Sequence, residues 1–447
     1  MGIQLKTFRM GGIHPSAEKI TAGRAIEEFA LPEMVTIPLG QHIGAPAKPL
    51  VAKGDKVVVG QRIAESGGFV SANIHSSVSG TVQKIDSIVD ASGFAKPAVF
   101  IKVEGDEWDA SIDRSDTIVR ENSMSAKEIL DRIVEMGIVG MGGATFPTHV
   151  KLSVPAGKKV EYLLLNGVEC EPYLTADHRL MLERGEQILI GASLLRRALG
   201  NPRTIIAIEN NKPDAIEHLT KLAATFEGIE VQPLKVKYPQ GGEKQLIAAV
   251  TGREVPSGKL PLDVGAVVDN VGTVYAIYEA LQKHKPLFER VVTVTGKELP
   301  NPGNFMVRIG TPIQALLEAT GWDRDKAGKV ISGGPMMGRA LKNLGAPVAK
   351  GSSGILVMPL AESNRRESSN CIRCSKCSQH CPMGLEPYLL VRLAKLNDLE
   401  RLEHEEVMSC IECGSCSFTC PANIPLLDLI RMGKSATGAA IRARARK

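Results

Sequence analysis

Between residues 38 and 105, short β-prone runs alternate with Gly, Asp and Ser turns. Leu50-Val51-Ala52-Lys53-Gly54-Asp55-Lys56-Val57 and Ser76-Ser77-Val78-Ser79-Gly80-Thr81-Val82 are examples. Turn signals about every 8–12 residues predict a small barrel or sandwich. From residue 120 the period changes. Ser125-Ala126-Lys127-Glu128 is a capping box that opens a helix running to about Met136, because Ser and Glu three apart satisfy each other's orphan backbone donors. Residues 162–165 and 203–209 read as short buried strands, and residues 212–226 and 243–250 have helical spacing. Such alternation over residues 120–285 predicts a largely parallel sheet covered by helices. Beyond it, residues 291–294 predict a strand and Thr311-Pro312-Ile313 starts a helix through Glu318, so a small β-grasp-like domain fits residues 290–345. Residues 346–370 read as a polar, Ser-rich linker. Residues 371–435 form a cysteine domain with a helical stretch over 387–396. Residues 1–37 are a turn-rich entry containing Gly11-Gly12-Ile13-His14-Pro15, and residues 436–447 a basic tail.

A length of 447 residues suggests two to four domains, since single cores rarely grow past about 250–300 residues. The fold class expected is therefore multidomain α/β. A formal charge of +5 is too mild to argue for nucleic acid. The basic residues cluster only at Arg442, Arg444, Arg446 and Lys447. They read as a solvated end, or as a contact for an anionic membrane or an acidic partner. Residues 1–9 lack the apolar region of a signal peptide, and no run approaches the roughly 18 apolar residues that span a bilayer. A soluble chain is expected, one that reaches a membrane only by docking on other subunits.

The cysteines change the picture most. Eight of nine lie within residues 371–420, and Cys170 stands alone. Cys371, Cys374, Cys377 and Cys381 precede Pro382; Cys410, Cys413, Cys416 and Cys420 precede Pro421. Both motifs are C-x₂-C-x₂-C-x₃-C-P. Three thiolates wrap one [4Fe–4S] cluster and the fourth ligates the other. Cys371, Cys374, Cys377 and Cys420 are assigned to one cluster, and Cys410, Cys413, Cys416 and Cys381 to the second. Zinc sites use separated cysteine pairs without a third Cys two residues on, and disulfides conflict with the expected compartment.

The clusters move electrons without saying where those electrons start. Gly140-Met141-Gly142-Gly143-Ala144-Thr145-Phe146-Pro147 is glycine-rich but not a dinucleotide fingerprint, since a helix precedes it and Pro147 closes it. Alone it reads equally as a helix end and turn. Asn166-Gly167-Val168-Glu169-Cys170-Glu171-Pro172 follows a predicted strand, where open α/β sheets bind ligands. The plain alternatives are a solvated loop and a stray buried thiol at Cys170.

These segments, with Gly241-Gly242-Glu243 and Asp269-Asn270-Val271-Gly272-Thr273, resemble the flavin- and NADH-binding subunit of respiratory complex I. The whole chain, over roughly residues 9–430, is similar to the C-subunit family of the Rnf (Rsx) electron transport complex. Gly11-Gly12-Ile13-His14-Pro15, the barrel module, the flavin domain, the β-grasp domain and the twin motifs occur in that order. The barrel stretches resemble the biotinyl/lipoyl module, but the hairpin that holds a modified Lys in carriers reads Glu65-Ser66-Gly67-Gly68-Phe69. A structural role is expected instead of a swinging arm.

The resemblance implies non-covalent FMN, NADH or NAD⁺ as substrate, and two [4Fe–4S] clusters. Gly140, Gly142 and Gly143 would line the FMN, with Lys151 nearby. Asn166 would bind the flavin ring edge. Glu169 and Glu171 would border the flavin and the NADH site as the reaction's positioning carboxylates. Glu243, Asp269, Asn270 and Thr273 would complete the pocket. Implied partners are the other Rnf subunits, including the iron–sulfur subunit and membrane-embedded subunits, at the cytoplasmic face of the bacterial inner membrane. There are departures: Val168 stands where complex I subunits have Asp, Thr145 replaces a usual Gly, and Ala176 and His178 differ from many relatives. A corrinoid reductase and a flavin-free electron relay are the rival readings.

Overall fold

The computed structural model describes residues 5–445. The barrel module pairs a four-stranded antiparallel sheet (Met34–Pro38, Ala95–Val103, Gly80–Val89, Lys56–Val57) with a three-stranded one (Lys48–Pro49, Arg62–Glu65, Ile74–His75). Val35, Ile37, Val99 and Ile101 of the first meet Ile63 and Ile74 of the second in one core.

The central domain carries a four-stranded sheet in the order Ile229–Leu234, Arg203–Glu209, Tyr162–Asn166, Ala266–Asn270, every pair parallel. Both faces are covered. Leu163, Leu165, Ile206, Ile208 and Val267 enter one core, while Leu164, Ile205, Ala207 and Val268 enter the other. Such strands read as continuous apolar runs because each alternate residue has its own core to fill. The capping box of Ser125 and Glu128 is present and opens the helix Ala126–Glu135.

The third unit is a six-stranded mixed sheet in the order Ile26–Glu28, Gly303–Arg308, Glu289–Thr295, Gly354–Pro359, Ala327–Ser332, Arg339–Ala340. Two sequence expectations are corrected here. Residues 346–370 are not a linker throughout, because Gly354–Pro359 is an interior strand of this sheet. Its Ile355, Leu356 and Val357 are buried, and that apolar run outweighs the flanking serines. Residues 1–37 are not a separate segment either: Ile26–Glu28 joins this sheet and Met34–Pro38 opens the barrel.

The cluster domain is helical, built on Pro387–Lys395, Leu399–His404 and the long Leu426–Ala445. The last helix absorbs most of the expected basic tail and places Arg442 and Arg444 in its final turn; Arg446 and Lys447 lie outside the described residues. Among the described residues no helix is long and apolar enough to cross a membrane.

Two seams lock these units together. Lys350, fully buried, donates to Asn73 O of the barrel at 2.9 Å and to Gly137 O of the central domain at 2.7 Å. The Gly11-Gly12-Ile13 stretch runs between the central and cluster domains. Gly12 N donates to His380 O at 3.1 Å, and Ile13 pairs with Tyr238 through both backbone groups. Gly11, at φ +61°, lies against the Cys381–Pro382 peptide, where an added Cβ would stand 2.5 Å from backbone, so only glycine fits.

Candidate functional site

The C-terminal edge of the parallel sheet sets Asn270 beside Asn166 in register. Asn270 caps the helix Val271–Gln282 by accepting from Gly272 N at 2.9 Å, and its Nδ2 donates to Asp177 Oδ2 at 2.7 Å. The glycine loop rests on this corner. A Cβ on Gly142 would stand 2.8 Å from Asn270 Cβ, while Gly143 faces open space. Met141 is pinned at both ends: its N–H donates to Thr273 Oγ1 at 2.9 Å and its carbonyl accepts from the buried Arg290 at 3.2 Å. Gly143 therefore presents an open edge close to the N-terminus of a twelve-residue helix, whose dipole favours an anion such as a phosphate. Thr145 holds a left-handed φ of +52°, a region that favours glycine. Gly351 gives it room, since a Cβ there would stand 2.5 Å from Thr145 Cγ2.

Lys151 closes one side. Its Nζ donates to Val268 O at 2.9 Å and lies 3.5 Å from Glu243 and 3.8 Å from Asp269. The Asp269 carboxylate is fully buried and neither oxygen has a hydrogen-bond partner among the described residues. Burial pushes this carboxyl up to about 6, against the pull of Lys151. A buried carboxyl without a hydrogen-bond partner calls for a water, an ion or a ligand's polar group to complete it.

The acidic turn is tightly held. Asn166 donates to Gly241 O at 2.8 Å and accepts from Val168 N at 3.2 Å, so its amide ties two loops together. Val168 is buried in the core beneath the sheet, so this departure costs the pocket rim nothing. Glu169, at φ +44°, accepts from Asp177 N at 2.8 Å and His178 N at 3.2 Å. It caps the next helix, and its carboxylate is committed there. Glu171 accepts from Met336 N and Met337 N at 3.1 and 2.7 Å, and burial pushes its carboxyl up to about 7. Lys19 braces the turn from below by donating to the carbonyls of Glu169, Glu171 and Leu174 at 2.8, 3.0 and 2.6 Å. Lys212, also buried, donates to Val168 O at 2.8 Å. Cys170 accepts from Gly241 N at 3.4 Å, burial raises its pKa strongly, and it belongs to neither cysteine motif. Lys19, Asp177, Lys212, Tyr238 and Arg290 escaped the sequence reading. Each acts on backbone or on other side chains across the fold, and none belongs to a local motif.

Four thiols line one pocket in the cluster domain: Cys381, Cys410, Cys413 and Cys416, with Leu390, Ile411 and Ile430 among the lining residues. These are the four assigned to one cluster from spacing. Among the described residues no three ligands converge on one point for a single metal ion. A four-iron cluster offers each thiolate its own iron, so four thiols around an apolar cavity suit it. Burial pushes Cys410 up to about 11 and Cys416 up to about 12, and a bound cluster would draw both to the thiolate form. The other four are more open. Cys371 and Cys374 are exposed and Cys377 and Cys420 half-buried. The two motifs share a backbone signature, with left-handed residues on each side of the second cysteine: Arg373 and Ser375 at φ +55° and +58°, Glu412 and Gly414 at +58° and +77°. Turns of this kind gather N–H groups into concavities that suit iron–sulfur sites. Tyr238 joins the two regions. It is buried, its hydroxyl donates to Cys413 O at 2.9 Å, and it packs with Cys170 and Ile411.

Comparison with known proteins agrees unit by unit. Residues 6–106 match the RnfC barrel sandwich hybrid domain, 133–279 the Nuo51 FMN-binding domain, 291–340 the SLBB domain and 370–425 a 4Fe-4S dicluster domain. A flavin domain joined to a dicluster domain defines an iron–sulfur flavoprotein built for electron transport. The C subunit of the proton-translocating ferredoxin:NAD(+) oxidoreductase complex of Clostridium ljungdahlii is 48% identical over 90% of this chain and 87% of its own length. The Na(+)-translocating counterpart of Acetobacterium woodii is 46% identical over 91% and 92%. The C subunit of the ion-translocating oxidoreductase complex of Rhodobacter capsulatus is 42% identical over 89% and 77%. The chain belongs to this family, the C subunits of ion-translocating ferredoxin:NAD(+) oxidoreductase complexes. None of these relatives supports the corrinoid-reductase alternative.

Proposed function

We propose that this chain is the pyridine-nucleotide subunit of a membrane-bound complex, moving electrons between NADH, FMN and two [4Fe–4S] clusters toward ferredoxin-linked, ion-translocating subunits. The observation that carries the reading is the contact of Tyr238 with both the acidic turn and the buried four-thiol cavity. Bound FMN supplies the exchange between a hydride's two electrons and the single electrons a cluster accepts. The chain's own residues do the holding. Gly142 and Gly143 would take the phosphate, favoured by the dipole of the helix that opens at Val271; Lys151, Asp269 and Glu243 would border the ring; Glu171 would position the nucleotide. No side chain needs to act as acid or base on the transferred hydrogen.

The buried cavity next to Tyr238 would be the inner relay, and the exposed Cys371 and Cys374 the exit. Arg373 and Lys376 stand beside that exit in the chain, which favours an acidic partner surface. In this reading the partners are the complex's iron–sulfur and membrane-embedded subunits, met at the cytoplasmic face of the membrane. The test is anaerobic titration of the full chain with NADH, following flavin absorbance in parent and Glu171→Ala. Flavin reduction in the parent and its loss in the variant, with clusters intact, supports the reading. Equal reduction in both removes Glu171 from the site.

A further inference from the structure

The turn after the strand Ala327–Ser332 reads Gly333-Gly334-Pro335-Met336-Met337-Gly338. It reaches out of its own sheet and lies between the central and cluster domains. On one side are the two N–H donors to Glu171 already described. Gly334 packs so closely that a Cβ there would land on Glu171 Oε2. On the other side Met336 packs with Tyr238 and Cys413, and its carbonyl lies 3.0 Å from where a Cβ on Gly414 would stand. Met337 O accepts from Arg431 Nη2 at 3.3 Å, and Arg431 Nε donates to Glu412, between Cys410 and Cys413, at 2.9 Å. A hydrogen-bonded chain therefore runs from Glu171 through the Met337 peptide and Arg431 to the inner-cluster loop.

We propose that this β-grasp loop is a wall of the nucleotide site: the Met336 and Met337 peptides position the Glu171 carboxylate for NADH, and Arg431 sets the loop's place from the cluster domain. The inference rests on the proposed NADH site. Two backbone donors fix a carboxylate in rotation as well as in position, and a site group held by its supporting shell loses function when that shell moves by an ångström. Met336, Met337 and Arg431 are positioning residues; none carries electrons. The loop also explains why a β-grasp domain sits in an electron-transfer chain without a cofactor ligand of its own. It sets the distance between the acidic turn and the cluster cavity.

The test uses the full chain with FMN and iron–sulfur restored anaerobically, as parent, Gly334→Ala, Arg431→Gln and Arg431→Lys. Steady-state NADH oxidation with an artificial acceptor gives KM and kcat, and cluster EPR and flavin content report integrity. Gly334→Ala is expected to raise the KM for NADH about 10-fold, the equivalent of one charge-assisted hydrogen bond, with kcat changed less than about 2-fold. Arg431→Gln is expected to raise it about 3-fold, and Arg431→Lys, which keeps a cationic donor, to recover part of that loss. Unchanged KM in Gly334→Ala and Arg431→Gln, with flavin and clusters retained, overturns the proposal. If Gly334→Ala fails to take up FMN, the Arg431 pair decides alone, and a KM equal to the parent's in Arg431→Gln overturns it. A parent that holds FMN and iron but is not reduced by NADH removes the nucleotide site itself, a separate failure.

Discussion

Asp269→Asn is expected to make the flavin-free protein more stable at pH 8 and a poorer flavin binder. Asp269 is fully buried with both oxygens unpartnered among the described residues. Burial lifts its carboxyl from an ordinary 3.8 to about 6. That difference corresponds to about 3 kcal/mol against the charged form. Between these two pH values the folded state holds a proton that the unfolded chain has released. Stability therefore falls as pH rises through the window, and the whole cost is present above it. An isosteric amide removes the titration. Its N–H₂ faces Lys151 less favourably than a carboxylate does, which leaves a gain of about 2–3 kcal/mol at pH 8 and under about 1 kcal/mol at pH 4. For a unit of this size the gain is about 5–10 °C in Tm. The assay is thermal unfolding of flavin-stripped parent and variant at both pH values, with FMN affinity measured in parallel. A variant less stable at pH 8, or a gain independent of pH, would refute the reasoning. A site that stores a buried carboxylate without a hydrogen-bond partner is expected to give up function when it is relaxed, so FMN should bind about 10-fold or more weakly.

Gly142→Ala drives a Cβ to 2.8 Å from Asn270; losing that cap and its bond to Asp177 should cost about 2–3 kcal/mol and most of the bound flavin, read as the flavin-to-protein ratio after purification. Cys413→Ser and Cys371→Ser should each lower iron from about eight toward about four per chain. After NADH addition the Cys371 variant should still show a reduced inner cluster by EPR, and the Cys413 variant should not. Tyr238→Phe removes the bond to Cys413 O and should cost about 1 kcal/mol, altering the inner-cluster EPR signal while flavin content stays at the parent's level.

Local chemistry was readable from the chain alone. The twin cysteine motifs need only spacing and a following proline, and the structure returns four of those thiols around one cavity. The strands 162–165 and 203–209 and the capping box at Ser125 were readable because each is decided within a few residues. What escaped depends on contacts between distant segments. Gly354–Pro359 was hidden by its serine neighbours, since an interior strand is defined by its partners and not by its flanks. Read from its own residues the glycine loop was an ordinary helix end and turn; only the family resemblance joined it to Asn270 and Thr273, some 130 residues on, which the structure sets beneath it. Asn166 and Glu169, expected to face ligand, turn out to hold loops and a helix end. The residues bracing the turn, Lys19 and Lys212, lie in stretches with no motif at all.

The central claim is a route from nucleotide through the flavin pocket and Tyr238 to the buried cluster, then out through the exposed one. Freeze-quench EPR of the anaerobic full chain mixed with NADH tests it most directly, with the Cys371→Ser form identifying the inner signal. The signal surviving in that variant is expected to be the first to rise in the parent. An outer-cluster signal that rises first, or clusters that reduce while the flavin pocket is empty, would contradict it.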